Sequence, residues 1–440
     1  MKKVKSNNPC YTEGDARSIL RKQSRDIWVS AKPQYDKEMD CHDLTSKSRN
    51  DSVAKAIESH NDKSTKHYKN FAVFFAGSLG VAFVISALLG ILLYLYDPFM
   101  LFHKPYFRPT TYHSDLRIAA RGIIDYADFN SVILGSSMIE NTSAKEAGRK
   151  LGGKWVNLSM GGAHPNERAV VLEYLLKTKP PTRILYSFDT HSMILDTPRP
   201  MSIKPELYSD DFKPKWKFYL DKQFIKCAIK WSKKSECVGK NKELQNIPSD
   251  FYRRCVGEAG FLDWCQYDKV KEFLLKADEI YETQEFKGSI AKSQNLINKY
   301  ILDFVRAYPS VEFHFAISAY PTFYYRVRID DGYTPNPKEH FDKWRKILVW
   351  LVNEAQNLPN MKIYGFDDLP ITNDTSNYID QGHYKIGKVL NSIALDSMRD
   401  STHILTPNNV EAYLNAFENK VRNYDIKPYL RELNKWEAER

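Results

Sequence analysis

From Phe71 to Tyr96 the chain runs for 26 residues without a charge, behind 70 polar and basic residues. At 1.5 Å per residue, a helix of that length reaches roughly 39 Å, more than the ~30 Å hydrocarbon core of a bilayer. A buried helix of a soluble core would keep a polar face, and FAVFFAGSLGVAFVISALLGILLYLY has none. A cleaved signal peptide begins near the N-terminus and carries an apolar segment of about half this length. The run therefore predicts one transmembrane helix, 71–96. It leaves a tail, 1–70, on one side and a working part, 97–440, on the other.

Lysine and arginine set the expected orientation. The first 70 residues hold 15 of them, with Lys55, Lys63, Lys66 and Lys69 near the run, whereas the far flank offers only Lys104 and Arg108. Positive flanks stay on the cytoplasmic side, which predicts a cytoplasmic N-terminus and an external 97–440. The tail is poor in aliphatics and rich in Ser, Asn, Asp and Lys, a composition that buries no core, so 1–70 is expected to be mostly disordered, with room for a short helix around Asp15–Trp28. Its 15 basic and 10 acidic residues account for half of the chain's net charge of +10. The remaining surplus is mild for so long a segment, which argues against a nucleic-acid partner.

Cysteine usage agrees with this division. Cys10 and Cys41 lie in the tail and are expected to be reduced. Cys227, Cys237, Cys255 and Cys265 fall within 39 residues of the external part. An even, clustered set in an oxidising compartment reads as disulfides, with three connectivities open. Zinc favours C-x₂₋₄-C spacing, and these nine-residue gaps have no histidine nearby, so no metal is assigned. The paired C-x₉-C spacing resembles the twin C-x₉-C helical hairpin, a resemblance that implies Cys227–Cys265 and Cys237–Cys255.

Beyond the apolar run, short apolar stretches alternate with amphipathic ones. Ser131–Leu134, Trp155–Met160, Arg183–Asp189, Val311–Ser318 and Met361–Phe366 read as strands. Helical spacing occupies Ala144–Leu151, the stretch opened by Pro165, and His340–Gln356. Alternation of this kind predicts an α/β domain with a parallel sheet flanked by helices. Residues 195–290 break the rhythm and are expected to form a helical insertion in a domain of 97–405. A helical extension, 406–440, follows.

Ligands of such sheets bind at the carboxyl ends of the strands. The first strand delivers Gly135-Ser136-Ser137 there, and after the last comes Asn377-Tyr378-Ile379-Asp380-Gln381-Gly382-His383. A serine on such a turn projects its hydroxyl into the crevice, with its own N–H available to an oxyanion. Asp380 and His383 are spaced so that a carboxylate can orient an imidazole that takes the serine proton. His164 and His191 also lie near strand ends, as structural or substrate-facing residues. Tyr320, Tyr324 and Arg326 follow the fourth strand. They suit either a sugar-stacking platform with a cation for an anionic group or plain loop packing.

On ILGSSMIEN, NLSMGG, NYIDQGHY and the Asp97-Pro98-Phe99 that ends the anchor, residues 71–400 resemble the SGNH/GDSL hydrolase superfamily. The closer likeness is to membrane-anchored SGNH-like proteins of bacterial surface-polysaccharide O-acylation, such as those of alginate acetylation and lipoteichoic-acid D-alanylation. The resemblance implies a flavodoxin-like sheet with Ser137 as nucleophile, His383 as base and Asp380 as its orienter. Ser136 takes the place of the superfamily's Asp. Gly161 or Gly162 would join the Ser137 N–H as oxyanion donors. Where that superfamily carries a third donor, an Asn after the third strand, this chain has Asp189. An ionised Asp189 facing an oxyanion would oppose catalysis, so it is expected to point elsewhere or to bind a partner group. The implied activity is O-acyl transfer, most plausibly of acetyl, to a polysaccharide. It needs no cofactor and implies a multi-pass membrane-bound O-acyltransferase as acyl donor, in the bacterial inner membrane with a periplasmic domain. An esterase acting on the same glycan, or a noncatalytic glycan-binding or assembly protein, is the alternative.

Overall fold

The five predicted strands pair into one all-parallel sheet flanked by helices, and nearly all of their residues are buried, with Glu312 and Lys362 exposed. They are β1 (Ser131–Leu134), β2 (Trp155–Asn157), β3 (Arg183–Phe188), β4 (Glu312–Ile317) and β5 (Met361–Tyr364), in the order β2-β1-β3-β4-β5. Ser131 stands opposite both Trp155 and Arg183, and Phe313 opposite Met361. Every β1 residue is buried, as a continuous rather than alternating apolar run requires. The computed structural model describes residues 46–113, 115–239, 286–327, 337–379, 382–385, 387 and 389–438. Asp380 and Cys10, Cys41, Cys255 and Cys265 lie outside them.

The helices follow local signals. In α1 (Ser46–Tyr96) the stretch Thr65–Tyr96 is long and apolar enough to cross a membrane. The helix begins well before the apolar run, so residues 46–70 are helical, not the irregular tail that composition suggested. Once nucleated, a helix extends through good helix formers such as Lys and Ala at little cost. The chain divides into two units, one through Val84 and one from Ile85 to Arg440. In the second, α1 ends at Asp97, whose carboxylate accepts N–H groups of Leu101, Phe102 and His103, each at 2.9 Å. Next come α2 (Leu116–Tyr126), capped by Asp115, α3 (Ala144–Leu151), capped by Ser143, and α4 (Pro165–Thr178), with proline in its first turn.

In the interrupted region, α5 (Phe212–Tyr219) and α6 (Lys222–Ile229) are helical as expected. The disulfide is not as the hairpin resemblance implied: Cys227 bonds Cys237. The chain turns back at Trp231 (φ 45°) and sets these Cα atoms 5.9 Å apart, within ordinary disulfide reach. That local bond excludes the pairs Cys227–Cys265 and Cys237–Cys255.

Two helices close the far edge. In α7 (Pro337–Ala355) Arg345 meets Glu411 and Glu418 of α8 (Val410–Arg422) at 2.7 and 2.9 Å. With Tyr413, Leu414 and Phe417 buried, α8 belongs to the core. Lys420 reaches the carbonyl of Leu369 at 2.9 Å and that of Asp367, tying α8 to the carboxyl end of β5.

Candidate active site

Gly135 ends β1 where no side chain fits: an added Cβ would overlap Ser187 Oγ and stand 2.6 Å from Ile139 Cγ1. The chain therefore turns tightly into Ser136 and Ser137. Ser136 is buried, and its hydroxyl accepts the Met138 N–H at 3.1 Å, so it serves the turn. Ser137 is half-buried, and its Oγ lies 2.8 Å from His383 Nε2. Two residues 246 apart in sequence thus meet at hydrogen-bond distance.

His383 is presented by a small hairpin. Tyr378 and Tyr384 form an antiparallel bridge, and Ile379 N–H donates to the His383 carbonyl at 2.8 Å. Buried Tyr378 ties this hairpin to the sheet by donating to the Ala319 carbonyl beyond β4, at 2.8 Å. A Cβ on Gly382 would stand 3.2 Å from the Tyr320 ring, so glycine lets the loop close over that tyrosine. Asp380, the expected orienter, is outside the described residues.

The Gly161–Gly162 turn lies beside the serine turn because Met160 N–H donates to the Gly135 carbonyl at 2.9 Å. Gly162 has φ +67° and is exposed, while the Gly161 carbonyl accepts Arg117 Nη2 at 2.8 Å.

Asp189 is drawn into the core, in line with the expectation that it points elsewhere or binds a partner group. It is fully buried and pairs with equally buried Arg168 of α4, and Ser318 Oγ donates to it at 2.6 Å. Burial alone would raise its carboxyl; Arg168, His191 and the Ser318 hydroxyl together outweigh that and hold it below the usual range. Ser187 Oγ donates to Asp189 at 3.3 Å and accepts the Ser136 N–H at 3.2 Å, which links the ion pair to the serine turn.

Between the ends of β3 and β4 stand His164, His191 and Tyr320. The two imidazoles are 6.2 Å apart, and His191 Nδ1 is 2.8 Å from the Tyr320 hydroxyl. Burial, with His191 and Arg168 nearby, pushes His164 down to about 4, so it is neutral at pH 7. Among the described residues no group of three His, Cys, Asp or Glu side chains is placed to hold a metal ion. Tyr320 and Tyr324 stack at 4.9 Å and both are buried, so they pack the loop and leave no open face for a sugar. Arg326, in the helix Thr322–Val327, is half-buried.

Three residues that motif reading passes over shape the site. Asn157, the last residue of β2, donates from Nδ2 to the carbonyls of Ile139, Glu140 and Thr142 and clamps the segment after Ser137. The signal for it was a lone amide ending a buried strand. Arg168 was visible only as one of two cations of α4, standing just ahead of its apolar run, with Lys177 in the last turn. Glu140 lies three residues after Ser137, 5% exposed, with Oε2 unpartnered among the described residues and 3.4 Å from a Cβ built on Gly161.

Burial drives Glu140 up to about 8, against a smaller opposing pull from Arg117. The folded state thus holds a proton that the unfolded chain releases near pH 4.5, and its stability advantage declines as pH rises from there to about 8. Glu140→Gln keeps the shape without the ionisation. Its thermal midpoint, relative to wild type, is expected to rise steadily from pH 5 to pH 8.5, by at most about 5 kcal/mol of stability. Parallel melting curves across that range would contradict a buried, neutral Glu140.

No protein-family model matches this chain, and no match to it is found among curated proteins.

Proposed function

We propose that this protein is a membrane-anchored, extracytoplasmic acyltransferase of the SGNH-like class, working on a surface polysaccharide. The observation that carries the proposal is the 2.8 Å contact between Ser137 Oγ and His383 Nε2 at the carboxyl end of β1. It lies beside the β1–β3 switch point of a sheet ordered β2-β1-β3-β4-β5, where ligands of doubly wound sheets bind.

The chemistry would run in two balanced steps. Ser137 Oγ attacks the acyl carbonyl as His383 Nε2 takes its proton; the tetrahedral centre collapses, and the leaving oxygen departs with that proton. A sugar hydroxyl then attacks the Ser137 ester, gives its proton to His383 and restores the serine. Asp380, three residues before His383, would orient the imidazole, and the N–H groups of Ser137 and Gly161 or Gly162 would hold the oxyanion. The acyl donor would be a multi-pass membrane-bound O-acyltransferase, and the anchor would raise the local concentration of the pair.

The sign of one measurement separates the alternatives. In cells carrying Ser137→Ala in place of the wild type, NMR of the surface polysaccharide is expected to show fewer ester-linked acyl groups. A rise would mean that the same serine removes them, and an unchanged level would leave a noncatalytic role.

A further inference from the structure

The segment Phe212–Lys234 holds eight lysines and a single acidic residue, Asp221. It is fastened to the last turns of the apolar helix. Tyr219 of α5 donates to the Asp97 carboxylate, Tyr96 donates to the Ser232 carbonyl at 2.6 Å, and a Cβ on Gly90 would stand 3.1 Å from the Trp216 ring. Gly90 is six residues, about 9 Å of helix, from the end of the apolar run. Trp216 therefore sits within one interfacial layer of the point where the run ends, the depth at which Trp and Tyr collect in membrane proteins.

On this segment, and at Phe107, apolar side chains are left open to solvent: Phe107 is 67% exposed, Phe212 62%, Leu220 52% and Ile229 65%. Phe212 stacks on Trp216, and Phe107 lies 6.3 Å from Trp231. Lys213, Lys217, Lys226 and Lys230 interleave with them and are exposed. A soluble surface gains nothing from uncovered Phe and Ile among like charges. A bilayer surface satisfies both, with the rings and aliphatics at the acyl boundary and the ammonium groups among phosphates. The Cys227–Cys237 bond fixes the end of α6 in this arrangement.

We propose, on the reading of Phe71–Tyr96 as a membrane span, that α5, α6 and the loop bearing Phe107 form a collar that docks on the anionic lipid surface from which α1 emerges. The collar would fix the catalytic domain's height and tilt over the bilayer, where an anchor alone leaves it free to swing.

The full-length chain is reconstituted in vesicles of phosphatidylcholine alone or mixed with phosphatidylglycerol. The photo-crosslinker p-benzoylphenylalanine is placed at Phe212, at Ile229 and, as a reference inside the span, at Leu79. Lipid adducts are expected at all three positions. Those at Phe212 and Ile229 should rise at least about threefold with phosphatidylglycerol and lose that gain in a Lys213→Gln, Lys217→Gln, Lys226→Gln, Lys230→Gln variant. Adducts at Leu79 but not at Phe212 or Ile229, or adducts there to protein, would overturn the collar and leave the span standing. Equal yields in both lipids would overturn the assignment to anionic lipid. No lipid adduct at Leu79 would overturn the span, and the collar with it.

Discussion

Ser137→Ala is expected to cut the release of p-nitrophenol from p-nitrophenyl acetate by about 10³-fold or more, with the circular dichroism of the fold unchanged. The substitution removes one oxygen from a half-buried side chain, so little packing is lost, while the hydroxyl that contacts His383, the proposed acyl acceptor, disappears. His383→Ala should lose about as much, since a serine hydroxyl without a base is a poor nucleophile near neutral pH. On the proposed mechanism the two act as one unit, so the double variant should be no slower than either single one. Ser136→Ala should stay within about tenfold of wild type: its hydroxyl serves only the turn, by accepting the Met138 N–H, and a lost neutral hydrogen bond costs about 1 kcal/mol. Additive losses in the double variant would mean that Ser137 and His383 do not share a step.

Asp189→Ala is expected to destabilise the domain by about 3–5 kcal/mol, as removal of one partner from a buried ion pair does. Arg168 would be left fully buried, still bonded to the Ala163 carbonyl at 2.9 Å, the Ser187 carbonyl at 2.8 Å and the Ser187 hydroxyl at 3.3 Å. The change should also slow turnover, because Asp189 holds Ser187 Oγ and Ser187 Oγ holds the Ser136 N–H. A double replacement, Arg168→Met with Asp189→Leu, should recover much of the stability, since it removes both charges together. Thermal and denaturant unfolding of the three proteins checks this. A single variant as stable as wild type would show that the pair contributes nothing to holding β3 against α4.

Periodicity made the frame legible. The uncharged run, the five strands and several of the helices between them follow from patterns that local physics imposes, and their order places Ser137 at the end of the first strand and His383 after the last. What periodicity does not carry is which side chains reach across elements. That Asp189 turns elsewhere or meets a partner group was expected, but not which group: Arg168, 21 residues earlier on α4, draws it inward. Tyr320 and Tyr324 suited a sugar platform or loop packing equally, and their burial fits packing. Glu140 reads as an ordinary surface acid until burial beside Gly161 removes its water. The disulfide turned on a reversal at Trp231 that spacing does not encode. The lysines of α5 and α6 raised the chain's net charge without revealing that they gather where α1 ends.

The central claim is that Ser137 is a nucleophile whose base is His383, and a fluorophosphonate probe tests it most directly, since the probe bonds to a serine oxygen only when that oxygen is activated. Intact mass and peptide mapping of the full-length protein are expected to show one phosphonyl group, on the peptide carrying Ser137. The adduct should be absent from Ser137→Ala, formed at least about 10²-fold more slowly in His383→Ala, and retained in Ser136→Ala. An unlabelled protein, a label on another serine, or labelling that ignores His383→Ala would contradict it.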